Sequence, residues 1–278
     1  MDARAWNSCE VINRALRLLL KGDFRTFFLY SIDFARRTLV PRPLPPRDFA
    51  TLEVLKATDG KVISGPFVGM RILNNAVAWG DGDIGSKLLG LYECELHPVL
   101  ERIVDLDPKV IVNLGSAEGF YAVGLARRVP EAEVFAVDID PQALKATRAN
   151  AQANSVADRL STELKIPMRV MDVPGTQAWI LDVEGAEVDL ADPDRYPVLR
   201  EALVLVELHE FVEPALLDLF YQRFAATHHF EIIQMTRRNP DAVSILRTLP
   251  DEAKWSLVSE GRPEGMRWLY LQPTNLRS

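Results

Sequence analysis

Two short stretches combine acids with an imidazole: Asp182-Val183-Glu184-Gly185-Ala186-Glu187 and Val206-Glu207-Leu208-His209-Glu210. Such a set can take the proton from a hydroxyl as a new bond forms, because an unperturbed imidazole titrates near neutrality. In that use His209 is the base and Asp182 or Glu207 orients it. The same groups are also oxygen and imidazole donors for a divalent ion, magnesium or manganese, with Asp182, Glu184, Glu207 and His209 as ligands. Spacing leaves both uses open. Glu187 reads as a charge on the first turn of the segment that follows.

A third stretch could hold the molecule on which such chemistry acts. An apolar run, Val110-Ile111-Val112-Asn113-Leu114, enters the turn Gly115-Ser116-Ala117-Glu118-Gly119, and a second run, Val134-Phe135-Ala136-Val137, ends on Asp138-Ile139. This is the pattern of a strand–turn–helix–strand unit, with backbone close to a ligand and an acid on its ribose. A dinucleotide fold would place its third glycine where Phe120 stands, and no Lys-Ser/Thr pair follows to make a phosphate-binding loop. The small residues are spaced two and two. That spacing, with Glu118 and no basic residue in the loop, suits the cationic sulfonium of S-adenosylmethionine. Asp138 follows Gly119 by nineteen residues, near the spacing expected of a ribose acid. Asn113, Gly115, Ser116, Ala117, Glu118, Gly119, Asp138 and Ile139 are therefore the candidate cofactor residues.

The elements that must position these groups follow from apolar periodicity. Strands are expected at 110–114, 133–137, 178–181, 203–207, 230–234 and 266–272, with 169–171 as a weak third strand. Helices are expected at 87–104 (restarting at Pro98), 119–128, 141–154 and 214–227. Asp140 caps the helix that begins at Pro141. Residues 52–63 read as a strand pair around the turn signal Asp59-Gly60, and 79–85 as a loop. Alternating strands and helices predict a doubly wound, mostly parallel sheet, whose ligands lie at the C-terminal strand ends. Gly115, Asp138, Asp182 and His209 all fall at or just beyond such ends. His228-His229 reads as a cap or surface pair, His97 as a cleft or packing residue, and Phe120 and Tyr121 as packing.

Composition narrows the alternatives. The chain has 278 residues and a net charge of −7. Residues 1–47 carry nine basic and four acidic side chains, so the remainder carries −12. An acidic body speaks against a broad nucleic-acid surface, whose affinity comes from phosphate neutralisation. It favours a small-molecule or saccharide acceptor. Residues 11–39 mix basic and apolar residues at helical spacing, an extension suited to a peripheral membrane contact or a homodimer, and a proline-rich linker follows. Residues 48–278 then form the main domain, with 48–107 upstream of a core at 108–278. Cys9 and Cys94 have no metal-type spacing, and with no secretory signal the expected compartment is cytoplasmic.

Asp182-Val183-Glu184-Gly185-Ala186-Glu187 together with Val206-Glu207-Leu208-His209 resembles the FkbM-type methyltransferases. The resemblance spans about residues 108–235. It implies a Rossmann-like class I fold with a seven-stranded sheet, S-adenosylmethionine as cofactor, and O-methylation of a sugar or natural-product hydroxyl. Asp182 would then hold cofactor or substrate. Related enzymes place an adenine contact after the third strand, where Asp172 stands here. A non-catalytic cofactor-binding or scaffold protein that keeps the fold is the alternative.

Overall fold

The computed structural model describes residues 44–73, 83–260, 262 and 265–276. The basic helices expected over 11–39, Cys9, most of the proline-rich linker and most of the 79–85 loop lie outside the described residues. Residues 46–278 form one compact unit. In chain order it contains α1 (Pro46–Thr58), α2 (Ile84–Leu89), α3 (His97–Leu106), β1 (Val110–Leu114), α4 (Phe120–Arg128), β2 (Glu133–Val137), α5 (Pro141–Ala153), β3 (Leu160–Glu163), β4 (Gln177–Leu181), α6 (Glu187–Leu190), β5 (Leu203–Glu207), α7 (Leu216–Phe224), β6 (His228–Gln234), α8 (Asp251–Val258) and β7 (Arg267–Pro273).

The sheet runs β3-β2-β1-β4-β5-β7-β6. β1 to β5 pair in parallel, and β7 is antiparallel to both β5 and β6. This is the seven-stranded, mostly parallel α/β sheet expected. Every residue of β1, β4 and β5 is buried, because helices cover both faces and each strand must be apolar on both sides. One face packs Ile111, Val134, Ile180 and Leu205 against Leu88, Ile103 and Leu125. The other packs Val112, Phe135, Trp179 and Val204 against Leu199, Phe220 and Phe224. The strand order reverses between β1 and β4, so a crevice opens at the carboxyl ends of those two strands.

Four expectations are corrected. The third strand is Leu160–Glu163, and Met168–Asp172 is a 3-10 turn. β3 is the sheet edge with only Leu160 buried, so no apolar run announced it. Residues 46–58 form α1 in place of a strand pair, burying Ala50, Thr51, Val54 and Thr58 along one face. Asp59 and Gly60 stop that helix in left-handed conformations, φ 51° and 67°. The helix expected over 87–104 is broken at Gly90, also left-handed, and resumes at His97. His228 is buried within β6, its Nε2 2.9 Å from the Ala202 carbonyl oxygen. Among the described residues no helix is long and apolar enough to cross a membrane.

Candidate active site

The end of β1 and the end of β4 meet directly. The Asp182 amide donates to the Leu114 carbonyl at 3.0 Å, and the Gly115 amide to that of Val137 at 2.9 Å. Gly115 has φ +74°, and a Cβ there would stand 1.6 Å from the Asp182 carbonyl oxygen. Only glycine fits between the two strand ends. The turn beyond it is pinned by Asp138, whose carboxylate accepts from the Ala117 and Asp140 amides, each at 2.9 Å. Ala117 is held at φ +46° by that bond and by Thr147, whose hydroxyl donates to the Ala117 carbonyl at 2.8 Å. Asp140 caps α5 as expected, accepting from the Gln142 amide at 2.8 Å.

A cleft of about 1030 Å³ runs from this turn to the acid–imidazole cluster. Gly115, Ala117, Glu118, Asp138, Ile139 and Asp182 line it, as do Glu184, Glu207 and His209. Asn113 and Ser116 do not. They are 1% and 3% exposed, and their side-chain polar atoms lack hydrogen-bond partners among the described residues. Gly119 caps α4 behind the turn, with no place on the cleft wall. Asp172 is exposed and away from the cleft. The segment after β3 reaches the cleft through Leu164 and Met168, 58% and 69% exposed on its wall. Ile139, 87% exposed, is a third apolar side chain on that wall. Open apolar surface in a crevice is what a planar base would cover.

Glu118 is not free to meet a sulfonium. It forms a buried ion pair with Lys87 of α2, which also reaches Asp83 at 2.7 Å and lies 4.5 Å above the Tyr92 ring. Burial alone would lower the Lys87 ammonium, but the two carboxylates outweigh it and raise it above the ordinary lysine value. Phe120 and Tyr121 pack edge-on with Phe67 beneath the turn, as expected, and the Tyr121 hydroxyl donates to the fully buried Glu93. His97 packs against Gly65, outside the cleft.

At the other end, β4 and β5 run side by side with Leu181 opposite Val206, which brings Asp182 next to Glu207. His209, with a side chain 2% exposed, sits two residues past β5. Its orienting partner is neither Asp182 nor Glu207: Nδ1 meets Glu187 Oε1 at 2.5 Å. Glu187 is itself buried and accepts from the Gly185 amide at 3.3 Å, so its role is to hold the imidazole. The opposite nitrogen, Nε2, faces Glu184 at 3.3 Å, Glu207 at 3.7 Å and Asp182 at 3.9 Å. Burial alone would lower the imidazole, but Glu187 and the other carboxylates reverse that and raise it. Burial raises Asp182 as well. Glu207 is raised by burial and by Asp182 and Glu93, and Arg262 reaches its Oε1 at 2.5 Å. Arg262 also pairs with Glu93 and lies 3.0 Å from the Tyr92 hydroxyl.

Glu187, Arg262, Lys87 and Glu93 are the site residues that sequence reasoning missed. Arg262 is 55 positions from Glu207, and no local spacing connects them. Glu187 carried a signal, its place five residues after Asp182 in the same acidic loop.

Residues 75–180 match the family model described as ribosomal protein L11 methyltransferase. A ribosomal protein L11 methyltransferase of Enterobacter sp. (strain 638) is 40% identical over 116 residues, which are 42% of this chain and 34% of the relative. The chain thus spans about a third of the length of the curated relatives it matches. Among solved structures, the human methyltransferase 10 domain containing protein aligns over 82% of this chain and 99% of its own, with 13% identity and a TM-score of 0.48. A ribosomal protein L11 methylase of Lactobacillus delbrueckii subsp. bulgaricus aligns over 73% and 84%, with 14% identity and a TM-score of 0.45.

The matched stretch, residues 75–180, is similar to a methyltransferase. The model that matches is the L11 methyltransferase type, in place of the FkbM type that the motifs suggested. The match contains β1, the glycine turn, Asp138 and nearly all of β4, and it ends at residue 180. Asp182, Glu184, Glu187, Glu207 and His209 all lie beyond it.

Proposed function

We propose that this chain transfers a methyl group from S-adenosylmethionine to a hydroxyl of a saccharide or natural-product acceptor. One observation carries the reading: a single cleft joins the glycine turn and Asp138 to the Asp182–Glu207–His209 cluster. The cofactor lies along the first part, its ribose on Asp138 and its base over Ile139, Leu164 and Met168. The methyl-bearing sulfur then sits by Gly115, at the junction with Asp182. The acceptor enters from the side of the cluster. At about 1030 Å³ the cleft is at the upper end of single-ligand pockets, room for a cofactor and a modest acceptor together. Positioning the hydroxyl in line with the methyl group supplies much of the rate.

The likeness to L11 methyltransferases supports a second reading, in which the acceptor is a ribosomal protein. The match supports the cofactor half, whereas the residues that would meet an acceptor fall outside it, so the hydroxyl reading leads. Calorimetry with S-adenosylmethionine and its demethylated product tests the shared part, and no binding of either at millimolar concentration refutes both. Labelled methyl transfer in fractionated lysate separates the two. Label in small, base-stable ethers supports the first, and label on a ribosomal protein supports the second. Cofactor binding with no labelled product at all identifies a scaffold.

A further inference from the structure

Asp182 stands just past β4, Glu207 closes β5, and His209 follows by two residues. Strand pairing places their donor atoms within 4.8 Å of one another. Three features of this corner point to a ligand that the protein itself does not supply. His209 Nε2 belongs to a side chain that is 2% exposed, yet among the described residues it makes no hydrogen bond. It is aimed at carboxylate oxygens 3.3 to 3.9 Å away. Glu187 on Nδ1 fixes the ring so that Nε2 faces those oxygens, an arrangement that calls for a cation between them, the ring's own proton or a metal ion. Asp182 and Glu207 then add two adjacent, largely buried carboxyl groups.

The spacings fit a metal. An octahedral magnesium or manganese ion with ligands at about 2.1 Å places its neighbouring donors roughly 3 Å apart and its opposite donors roughly 4 Å apart. Nε2 lies 3.7 Å from Glu207 Oε2 and 3.9 Å from Asp182 Oδ1, inside that range. The surroundings also match a metal centre. A carboxylate on the far nitrogen of a ligating histidine is the usual second layer that sets its orientation, and Glu187 is that carboxylate. Arg262 holds Glu207 by Oε1, and the other oxygen is the one nearer His209. Glu184 reaches Nε2 at 3.3 Å from a side chain that is 72% exposed, so it can join the set or withdraw to solvent.

We propose that Asp182, Glu207 and His209 bind one divalent cation, magnesium or manganese, at the acceptor end of the cleft, with Glu187 as the positioning residue for His209. The inference rests on the methyl-transfer reading only for what the ion acts upon. A bound divalent ion polarises a hydroxyl and eases the loss of its proton, which relieves His209 of the role of free base. Oxygen-rich donors with one imidazole favour magnesium and manganese over softer ions.

The test titrates the full chain with Mn²⁺, following loss of the free-ion resonance, with and without the demethylated cofactor. One bound Mn²⁺ per chain, displaced by excess Mg²⁺ and showing nitrogen coupling in pulsed electron paramagnetic resonance, is the expected result. The coupling is read on the wild type and needs no variant. Asp182→Asn should abolish the binding. Glu187→Gln should weaken it about 10- to 100-fold while leaving affinity for the demethylated cofactor within about threefold. No stoichiometric Mn²⁺ at millimolar concentration, Mn²⁺ without nitrogen coupling, or binding unchanged in Asp182→Asn overturns the proposal. Mn²⁺ bound with nitrogen coupling but no cofactor bound supports the metal site and refutes the methyl-transfer reading. Cofactor bound without Mn²⁺ does the reverse.

Discussion

Replacing Gly115 by alanine tests the junction on which the whole site depends. The added methyl would lie 1.6 Å from the Asp182 carbonyl oxygen and 2.7 Å from its carbon. Both atoms are backbone, so neither can swing away as a side chain would. The left-handed φ of +74° at Gly115 costs an L-residue about 1–2 kcal/mol. Overlap with packed neighbours adds roughly 1–3 kcal/mol as strands shift to relieve it. The sum, about 2–5 kcal/mol, is a large share of the 5–15 kcal/mol typical of a folded protein. It lowers the melting temperature by roughly 5–15 °C in a domain of this size. Relief of the overlap must separate β1 from β4, so binding of S-adenosylmethionine should be lost along with stability. Gly265 is the control, with φ +90° but nothing within 4 Å of its missing Cβ; Gly265→Ala should show the conformational cost of about 1–2 kcal/mol alone. Urea unfolding and calorimetry on both variants provide the measurement. If Gly115→Ala costs no more than Gly265→Ala and keeps cofactor affinity, the close approach of the strand ends is not what this site requires.

Three further outcomes follow from other parts of the cleft. Ile139→Ala should leave stability within about 0.5 kcal/mol, since the side chain is 87% exposed. It should weaken cofactor binding roughly 5- to 30-fold by removing about 1–2 kcal/mol of apolar burial; unchanged affinity in calorimetry would place the base elsewhere. Lys87→Met strands the buried Glu118 carboxylate and should cost about 3–5 kcal/mol. Lys87→Met/Glu118→Gln should recover much of that loss, and denaturation showing no recovery would refute a coupled pair. Burial holds the His228 imidazole below its ordinary 6.5, so unfolding lets it take up a proton. Its contribution is therefore complete above about pH 6.5 and is lost as pH falls through the folded value. The stability of His228→Gln should fall less steeply than wild type below about pH 6.5, and parallel pH profiles would refute this account.

Legibility in the sequence tracked how each element is buried. β1, β2 and β5 were read to the residue because their buried positions form runs that are apolar but for Asn113 and Glu207. β3 went unread because an edge strand with one buried residue carries no such run. α1 was misread because Asp59-Gly60, a hairpin signal, is equally good at ending a helix. His209 does lie on the cleft, but the carboxylate at its Nδ1 is not one of those expected there. Three carboxylates lie within the six residues from Asp182 to Glu187, beyond them stands Glu207, and only the backbone path decides which one reaches Nδ1.

The sequence by itself determined the glycine-turn end of the cleft, because the turn and the acid that pins it belong to one strand–helix–strand unit whose geometry is local. It also named Asp182, Glu207 and His209 as the residues with chemistry to offer. Only the tertiary structure decided that they converge, that Glu187 turns the imidazole, and that Lys87 and Arg262 arrive from outside that unit. Convergence depends on which strands lie side by side, and strand order is set by packing of the whole sheet between its two helical layers. No spacing along the chain contains it.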